Sequence, residues 1–103
     1  MQQLSYPAKF SPEPKGAYTV TFPDLSEAIT SGTDLDDAST QSVDCLACAL
    51  AGRMKDGKEI PRPSRARKGS GVHWIEAPLN LAPKAALYMA LRESRINNTQ
   101  LAR

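Results

Sequence analysis

The chain has 103 residues, of which 41% are hydrophobic and 23% are charged. That length allows one compact domain with a short appendage but not two full domains, and the composition excludes disorder throughout. The net charge of +2 is uneven, because residues 1–52 carry −5 and residues 53–103 carry +7. This asymmetry indicates an acidic surface suited to a basic protein and a basic surface suited to nucleic acid, or else two solvated faces.

We expect a cytoplasmic protein that contacts no membrane. No apolar run approaches the ~18 residues that a membrane span needs. The N-terminus has neither the basic flank nor the apolar core of a secretory signal. Cys45 and Cys48 are the only cysteines, which fits a reducing compartment.

Alternating hydrophobic residues predict three short strands before residue 33. The first spans residues 4–10, the second residues 18–22, and a third lies around residues 28–30. The turn-forming run 11–16 should join the first two strands into a hairpin. Because Pro7 cannot donate a ladder hydrogen bond, the first strand should be an edge strand or have that side open.

Residues 34–55 predict a long helix on which the rest of the chain is organised. Thr33 or Asp34 can cap its first turn, and Gly52 and Gly57 mark where it loosens and stops. Small and apolar residues recur at three- and four-residue intervals, which predicts the face that packs on the sheet. These residues are Leu35, Ala38, Ser42, Cys45, Leu46 and Ala49, followed at the same spacing by Arg53.

Residues 56–71 read as a loop in which Ile60 is the lone large aliphatic residue. Its basic residues are Arg62, Arg65, Arg67 and Lys68. They could touch phosphates, but no aromatic platform accompanies them, which favours a solvated loop. A fourth strand is predicted over residues 72–77.

A second helix is predicted over residues 83–95, ended by Asn97 and Asn98. Thr99 can cap a new helix, but the chain stops at Arg103, so we expect an interrupted C-terminus. The predicted apolar stripe of the second helix consists of Ala86 or Leu87, Ala90 and Leu91.

Two segments carry a family resemblance. Residues 18–38, YTVTFPDLSEAITSGTDLDDA, and residues 60–64, IPRPS, resemble the signature of HicB-type antitoxins. The resemblance implies an α+β, partial ribonuclease-H-like fold: three antiparallel strands, a long helix and a fourth strand, with a C-terminal helical appendage. It also implies binding to a small, basic HicA-like toxin that cleaves messenger RNA, whose active site the antitoxin covers.

The resemblance divides the chain into a toxin-binding domain, residues 1–78, and the beginning of a helix-turn-helix DNA-binding module, residues 79–103. Many members of the family use such a module to repress their own operon. Residues 81–87 would lead its first helix and residues 98–103 would begin its second. The incomplete module includes Thr99, Gln100 and Arg103. Since a recognition helix is missing, we expect operator binding only if the module is completed.

We interpret the acidic turn and helix start as electrostatic contacts to the toxin. The candidate toxin-binding residues are Asp24, Glu27, Asp34, Asp36 and Asp37. Asp36 and Asp37 also suit the positive end of the helix dipole and could simply be solvated. A DNA-binding autorepressor is the alternative main function, favoured by the basic second half.

We expect no catalytic residue, metal or cofactor. A metal-dependent nuclease needs acids on facing strands, whereas the first two predicted strands carry none. Cys45 and Cys48 form a CxxC without a second pair, and His73, the only histidine, is far away in sequence. Two small residues on a buried helix face are therefore the favoured interpretation over a redox or zinc site.

A homodimer is expected from the edge predicted at Pro7 and from the aromatic Trp74. The alternative is a monomer, if the missing C-terminal module is the part that normally dimerises. Trp74 and Ile75 are neighbours in a strand, so they point to opposite faces. We assign Tyr6, Trp74 and Ile75 to an oligomer or partner surface.

Overall fold

A computed structural model of the protein describes residues 4–64 and 71–101, with side chains up to residue 93. Its strands and α-helices in chain order are β1 (Ser5–Pro12), β2 (Tyr18–Phe22), β3 (Leu25–Gly32), α1 (Leu35–Lys55), β4 (Val72–Glu76) and α2 (Ala82–Leu101), and a 3₁₀ turn (Pro14–Gly16) joins β1 to β2. The four strands form one antiparallel sheet in the order β3-β2-β1-β4. The predicted α+β architecture is confirmed. Arg65, Arg67, Lys68 and Arg103 lie outside the described residues.

Strand β1 lies in the middle of the sheet, and Pro7 is accommodated there because its β2 side is open. Phe10 N donates to Gly71 O at 2.7 Å and Ala77 N to Leu4 O at 2.7 Å, so the backbone N–H and C=O groups of the even-numbered residues of β1 point toward β4. The backbone nitrogen of Pro7 therefore points toward the β2 side, at a position beyond the last residue of β2. Of the two alternatives for Pro7, the edge strand is wrong and the open side is correct. The edges of the sheet are β3 and β4.

The hydrophobic core lies between α1 and one face of the sheet. Fully buried residues on this face include Tyr6, Val20, Phe22 and Leu25, and α1 covers them with Ala38, Ser42, Leu46 and Leu50. The alternating residues face away from α1, which leaves Ile29 and Trp74 exposed by 62% and 52%. One sheet face is therefore packed and the other is open among the described residues.

The packing face of α1 differs from the predicted one at its first position. Buried residues recur every four positions from Ala38 to Leu50, so the contact runs along one slanted ridge of the helix. Leu35, in the first turn, is 44% exposed and lies outside that ridge. Cys45 and Ala49 lie at the border of the core. The buried Ser42 hydroxyl donates to Ala38 O at 2.6 Å, so its polar group is satisfied.

Both ends of α1 carry the predicted signals. Asp34 is the N-cap, and its Oδ1 accepts from Asp37 N at 2.8 Å. At the other end Gly57 has φ +70°. Lys58 N donates to Arg53 O at 2.8 Å and Gly57 N to Met54 O at 3.3 Å. That pair of bonds is a Schellman motif, which requires the left-handed glycine.

Helix α2 departs from the prediction in its end and in its packing face. It continues through Asn97 and Asn98 to Leu101, so the predicted stop there is wrong; asparagine disfavours a helix only modestly. Thr99 and Gln100 belong to its last turns and do not start a new helix. Leu87 and Leu91, predicted to pack, are 60% and 56% exposed.

The side of α2 that packs is formed mainly by small residues. Ala82 and Ala85 are buried in the same core cluster as the sheet, with Tyr88 and Met89 partly buried against it. Small side chains let the helix approach closely, so alanines take the place that the leucine pattern predicted. No helix in the described ranges is long and apolar enough to cross a bilayer.

Candidate functional site

The five acidic residues predicted to contact a toxin form two groups at opposite ends of α1. Glu27 contacts Arg53, near the C-terminal end of α1, whereas Asp34, Asp36 and Asp37 lie at its N-terminal end. Sixteen residues separate Asp37 from Arg53, which corresponds to about 24 Å along a helix. The sequence placed all five in one patch, and the fold separates them.

Glu27 and Asp24 are engaged in internal contacts. Arg53 donates from Nε to Glu27 Oε2 at 2.6 Å and from Nη2 to Glu27 Oε1 at 2.7 Å. These side-chain hydrogen bonds lower the pKa of Glu27 to about 2, against a smaller effect of burial. Ser64 N donates to Asp24 Oδ2 at 2.8 Å. Arg53 therefore neutralises Glu27 and engages both of its oxygens, and Ser64 N holds one oxygen of Asp24, so both carboxylates have a role within the fold.

The pairing of Glu27 makes stability pH-dependent. The pKa of Glu27 is lowered in the folded state. The contribution of the Glu27–Arg53 pair to the free energy of unfolding is therefore complete above the pKa of glutamate in the unfolded chain, about 4.3, and is lost as pH falls toward 2. We expect Glu27→Gln to lower the free energy of unfolding by up to about 1 kcal/mol at pH 7, because the pair is partly solvated. In urea unfolding the difference from wild type should shrink between pH 5 and pH 2. Asp44→Asn, at an exposed position outside the ion pairs of the described side chains, is the control. A constant difference between Glu27→Gln and wild type across this range would contradict the assignment.

The carboxylates at the start of α1 are more available. Asp37 Oδ2 accepts from Thr33 N at 2.9 Å and from Thr33 Oγ1 at 3.3 Å, and the backbone bond is the main reason that its pKa is lowered. Asp36 is exposed, and Asp44 follows two turns later, also exposed. None of the ion pairs among the described side chains involves these residues. The first half of α1 therefore presents unneutralised negative charge to solvent.

Residues 57–64, here called the strap, connect α1 to the rest of the chain and are held from several elements. Tyr6 Oη donates to Pro61 O at 2.7 Å, and Arg53 Nη1 donates to Glu59 O at 2.9 Å. From α2, Tyr88 Oη donates to Lys58 O at 2.8 Å and Arg92 Nη1 to Gly57 O at 2.7 Å.

Sequence reasoning missed this set, because its acceptors are backbone carbonyls that leave no pattern in the sequence. Ile60, 4% exposed, inserts into the core, and its status as the lone aliphatic residue of the predicted loop was the available signal. The strap is therefore part of the packed structure, and it ties α2 to the sheet domain.

The residues assigned to an oligomer or partner surface are not all at the surface. Tyr6 is fully buried and Ile75 is 7% exposed, because both point toward α1. The pKa of Tyr6 is raised to about 12, mainly by burial. The hydroxyl group therefore stays protonated and can donate its hydrogen bond to Pro61 O in the strap. Of these three residues, only Trp74 is exposed and can contact another molecule without a rearrangement of the core.

The chemistry-bearing side chains of the described residues do not converge. No three His, Cys, Asp or Glu residues in the described part are placed to hold a metal ion. Cys45 and Cys48 are free thiols. The pKa of Cys45 is raised, mainly by burial. A raised pKa disfavours the thiolate that redox or metal chemistry needs. His73 packs edge-on against Phe10 with ring centroids 4.8 Å apart.

Residues 5–86 match the family described as HicB_like antitoxin of bacterial toxin-antitoxin system. The chain is 37% identical to Antitoxin HicB of Escherichia coli K12 over 100 residues, which cover 97% of this chain and 71% of that protein. It is 33% identical to Antitoxin HicB 2 of Photorhabdus laumondii over 102 residues, which cover 99% of this chain and 70% of that protein.

The fold agrees with a solved structure. The crystal structure of the N-terminal domain of Burkholderia pseudomallei antitoxin HicB superposes with a TM-score of 0.58 at 17% identity, covering 74% of this chain and 98% of that chain. The family model and the relatives define the class as a non-enzymatic antitoxin, and the structural match supports its α+β fold. The chain belongs to the HicB-like antitoxin family, and this membership implies a HicA-type toxin as its partner.

Proposed function

We propose that this chain neutralises a HicA-type toxin, a small basic ribonuclease, by binding it and covering its active site. The observation that carries the proposal is the exposed, unneutralised acidic group on the first half of α1, in a chain that belongs to an antitoxin family. The group consists of the exposed Asp36 and Asp44 and the half-buried Asp37, and is here called the α1 acidic face. Asp34 supports it as the N-cap of the helix.

The α1 acidic face suits a ribonuclease for an electrostatic reason. A protein that binds RNA presents positive charge to phosphates. Carboxylates on a rigid helix can occupy the same positive surface, raise the association rate and compete with the substrate. Since the hydrogen bonds from Thr33 orient Asp37 before any partner arrives, little ordering of that side chain is needed on binding.

Asp24 and Glu27 take a different part in the proposal. Their carboxylates are bound by Ser64 N and Arg53, so we assign them to holding the strap and the end of α1. Their contribution to toxin binding is then indirect, through the shape of the domain.

Charge reversal tests this assignment. Asp36→Lys combined with Asp44→Lys should weaken binding to the toxin by about 10-fold or more at low salt, because both changes place repulsion in the interface. The difference from wild type should narrow as salt rises. Binding measured by calorimetry at two salt concentrations is the readout, and circular dichroism checks that the helix persists.

The matched control places the same charge change at the other end of α1. Asp56 and Glu59 are exposed. The double variant Asp56→Lys and Glu59→Lys raises the net charge by four units, as the first double variant does. We expect less than about a threefold loss of affinity from this variant. Equal losses in the two double variants, or none in the first, would remove the α1 acidic face from the interface.

Operator binding is a separate activity, which the proposal does not assign to the described residues. Residues 82–101 form a single helix, whereas a helix-turn-helix needs a second, recognition helix in the major groove. In a gel shift with operator DNA, we expect this chain alone to give no specific complex. A version of the chain extended past Arg103 is the comparison that reports on a completed module.

A further inference from the structure

The outer edge of β4 presents a set of unpaired backbone groups. Since Phe10 N donates to Gly71 O and Ala77 N donates to Leu4 O, the odd-numbered residues of β4 bond to β1. Val72, Trp74 and Glu76 therefore direct their N–H and C=O groups away from the sheet. The ladder of the described residues ends at β4, so these groups have no strand partner there.

Strand β4 itself, within the described residues, carries none of the common sequence features that block pairing. Native edge strands are commonly blocked by proline, an inward-pointing charge, a bulge or lysine. Strand β4 reads Val-His-Trp-Ile-Glu, and its register with β1 is unbroken over five residues. Trp74, at its centre, is 52% exposed. An edge of this kind is suited to receive another strand.

The edge is also complementary to itself. In an antiparallel pair of two β4 strands about a two-fold axis at Trp74, Trp74 of one copy is opposite Trp74 of the other, and Val72 is opposite Glu76. In this register every outward N–H meets an outward C=O. The geometry points to a second copy of this chain as the occupant: we propose that two copies pair through β4 and form one continuous eight-stranded sheet.

The side chains on the open sheet face support the same register. Within one copy Lys9 lies beside Val72 on the neighbouring strand. In the pair, Glu76 of the second copy lies on the other side of Val72, in the same row of side chains across the sheet. Two strand spacings separate Lys9 from that Glu76, about 10 Å between Cα atoms, which the two long side chains can span. Both residues are exposed, so each end of the interface gains a pair of opposite charges.

The centre of the interface is apolar. Pro7 is fully buried and pairs in register with Trp74. The pair of copies therefore sets two indoles side by side between two prolines, and cross-strand aromatic pairs stabilise sheets. A five-residue edge buries less than a standard interface of about 800 Å² per partner, so we expect a dimer with a dissociation constant in the micromolar range.

Sedimentation velocity of the full chain over a range from about 1 to 300 µM tests the proposal. We expect the wild-type sedimentation coefficient to rise with concentration as dimers form. Trp74→Lys should raise the concentration at the midpoint of dimerisation at least about 10-fold, since lysine at an edge blocks pairing. Ile29→Lys is the matched control. It also replaces an exposed apolar residue of the same open face, but in the opposite edge strand, and it should leave the midpoint unchanged.

Charge exchange provides a second test that keeps Trp74 intact. Lys9→Glu alone and Glu76→Lys alone should each weaken the dimer, because each places like charges in the same row. The double variant should restore it. Slowed amide hydrogen exchange at Val72, Trp74 and Glu76 at high concentration would identify the register.

Several results would overturn the proposal. A wild-type chain that stays monomeric at 300 µM contradicts it, and so does an equal loss in the two lysine variants. The proposal would also be wrong if the dimer persisted in Trp74→Lys but was lost in the double variant Leu87→Lys and Leu91→Lys. That result would place the dimer interface on the exposed side of α2. A HicA-type toxin that loses affinity for Trp74→Lys while the wild type remains monomeric would assign the edge to the toxin.

Discussion

Replacing Gly32 by alanine is expected to destabilise the protein by about 3 kcal/mol, because there is no space for a methyl group at this position. A Cβ on Gly32 would overlap the backbone N and Cα of Ala38 and would lie 2.8 Å from the carbonyl carbon of Asp37. All of these atoms are helix backbone and cannot rotate away. The end of β3 and the second turn of α1 would have to move apart.

Gly52→Ala is the matched control, because it makes the same change where space is available. A Cβ on Gly52 meets nothing within 4 Å. The residue lies inside α1, where alanine is favoured over glycine by up to about 1 kcal/mol. Urea unfolding should therefore show opposite signs for the two variants. A neutral Gly32→Ala would contradict the close packing of β3 on α1.

Ile60→Ala is expected to have the second large effect, about 2–4 kcal/mol, because it removes a buried side chain and leaves a cavity. Ile60 is 4% exposed and anchors the strap in the core. Its loss should also loosen α2, since Tyr88 and Arg92 bond to strap carbonyls. Hydrogen exchange of α2 amides should accelerate in the variant.

Leu79→Ala is the control for Ile60→Ala. Leu79 is 67% exposed, so its truncation should change stability by less than about 0.5 kcal/mol. Comparable losses in the two variants, or unchanged exchange in α2 after Ile60→Ala, would show that the strap does not hold the C-terminal helix.

The local signals of the sequence identified the elements well. Alternation located the strands, and Asp34 with Gly57 marked the ends of α1, because capping depends on residues adjacent in the chain. The family resemblance rested on residues 18–38 and 60–64, and the longer segment contains the β2–β3 hairpin and the start of α1. Features encoded within a few residues were therefore predictable.

Features that depend on distant packing were not predictable. Leu87 and Leu91 form a regular stripe but are exposed, whereas α2 packs through its alanines, with Tyr88 and Met89 partly buried beside them. The side of α2 that packs is decided by contacts with segments distant in the chain. Buried Tyr6 was assigned to the surface since its partner, Pro61 O, is 55 residues away.

The candidate site shows the same limit. Glu27 and Asp37 are ten residues apart in sequence, but β3 runs along α1 and places them near opposite ends of the helix. Charge alone grouped them, whereas the fold engages one with Arg53 and leaves the other near the exposed Asp36.

Titration of a HicA-type toxin with this chain in an RNA-cleavage assay tests the account most directly. Cleavage should fall to background at about one chain per toxin, and the chain alone, with magnesium or manganese, should leave the RNA intact. Cleavage that persists at a large excess of folded chain, with no complex detected, would contradict the function proposed for this antitoxin-family protein.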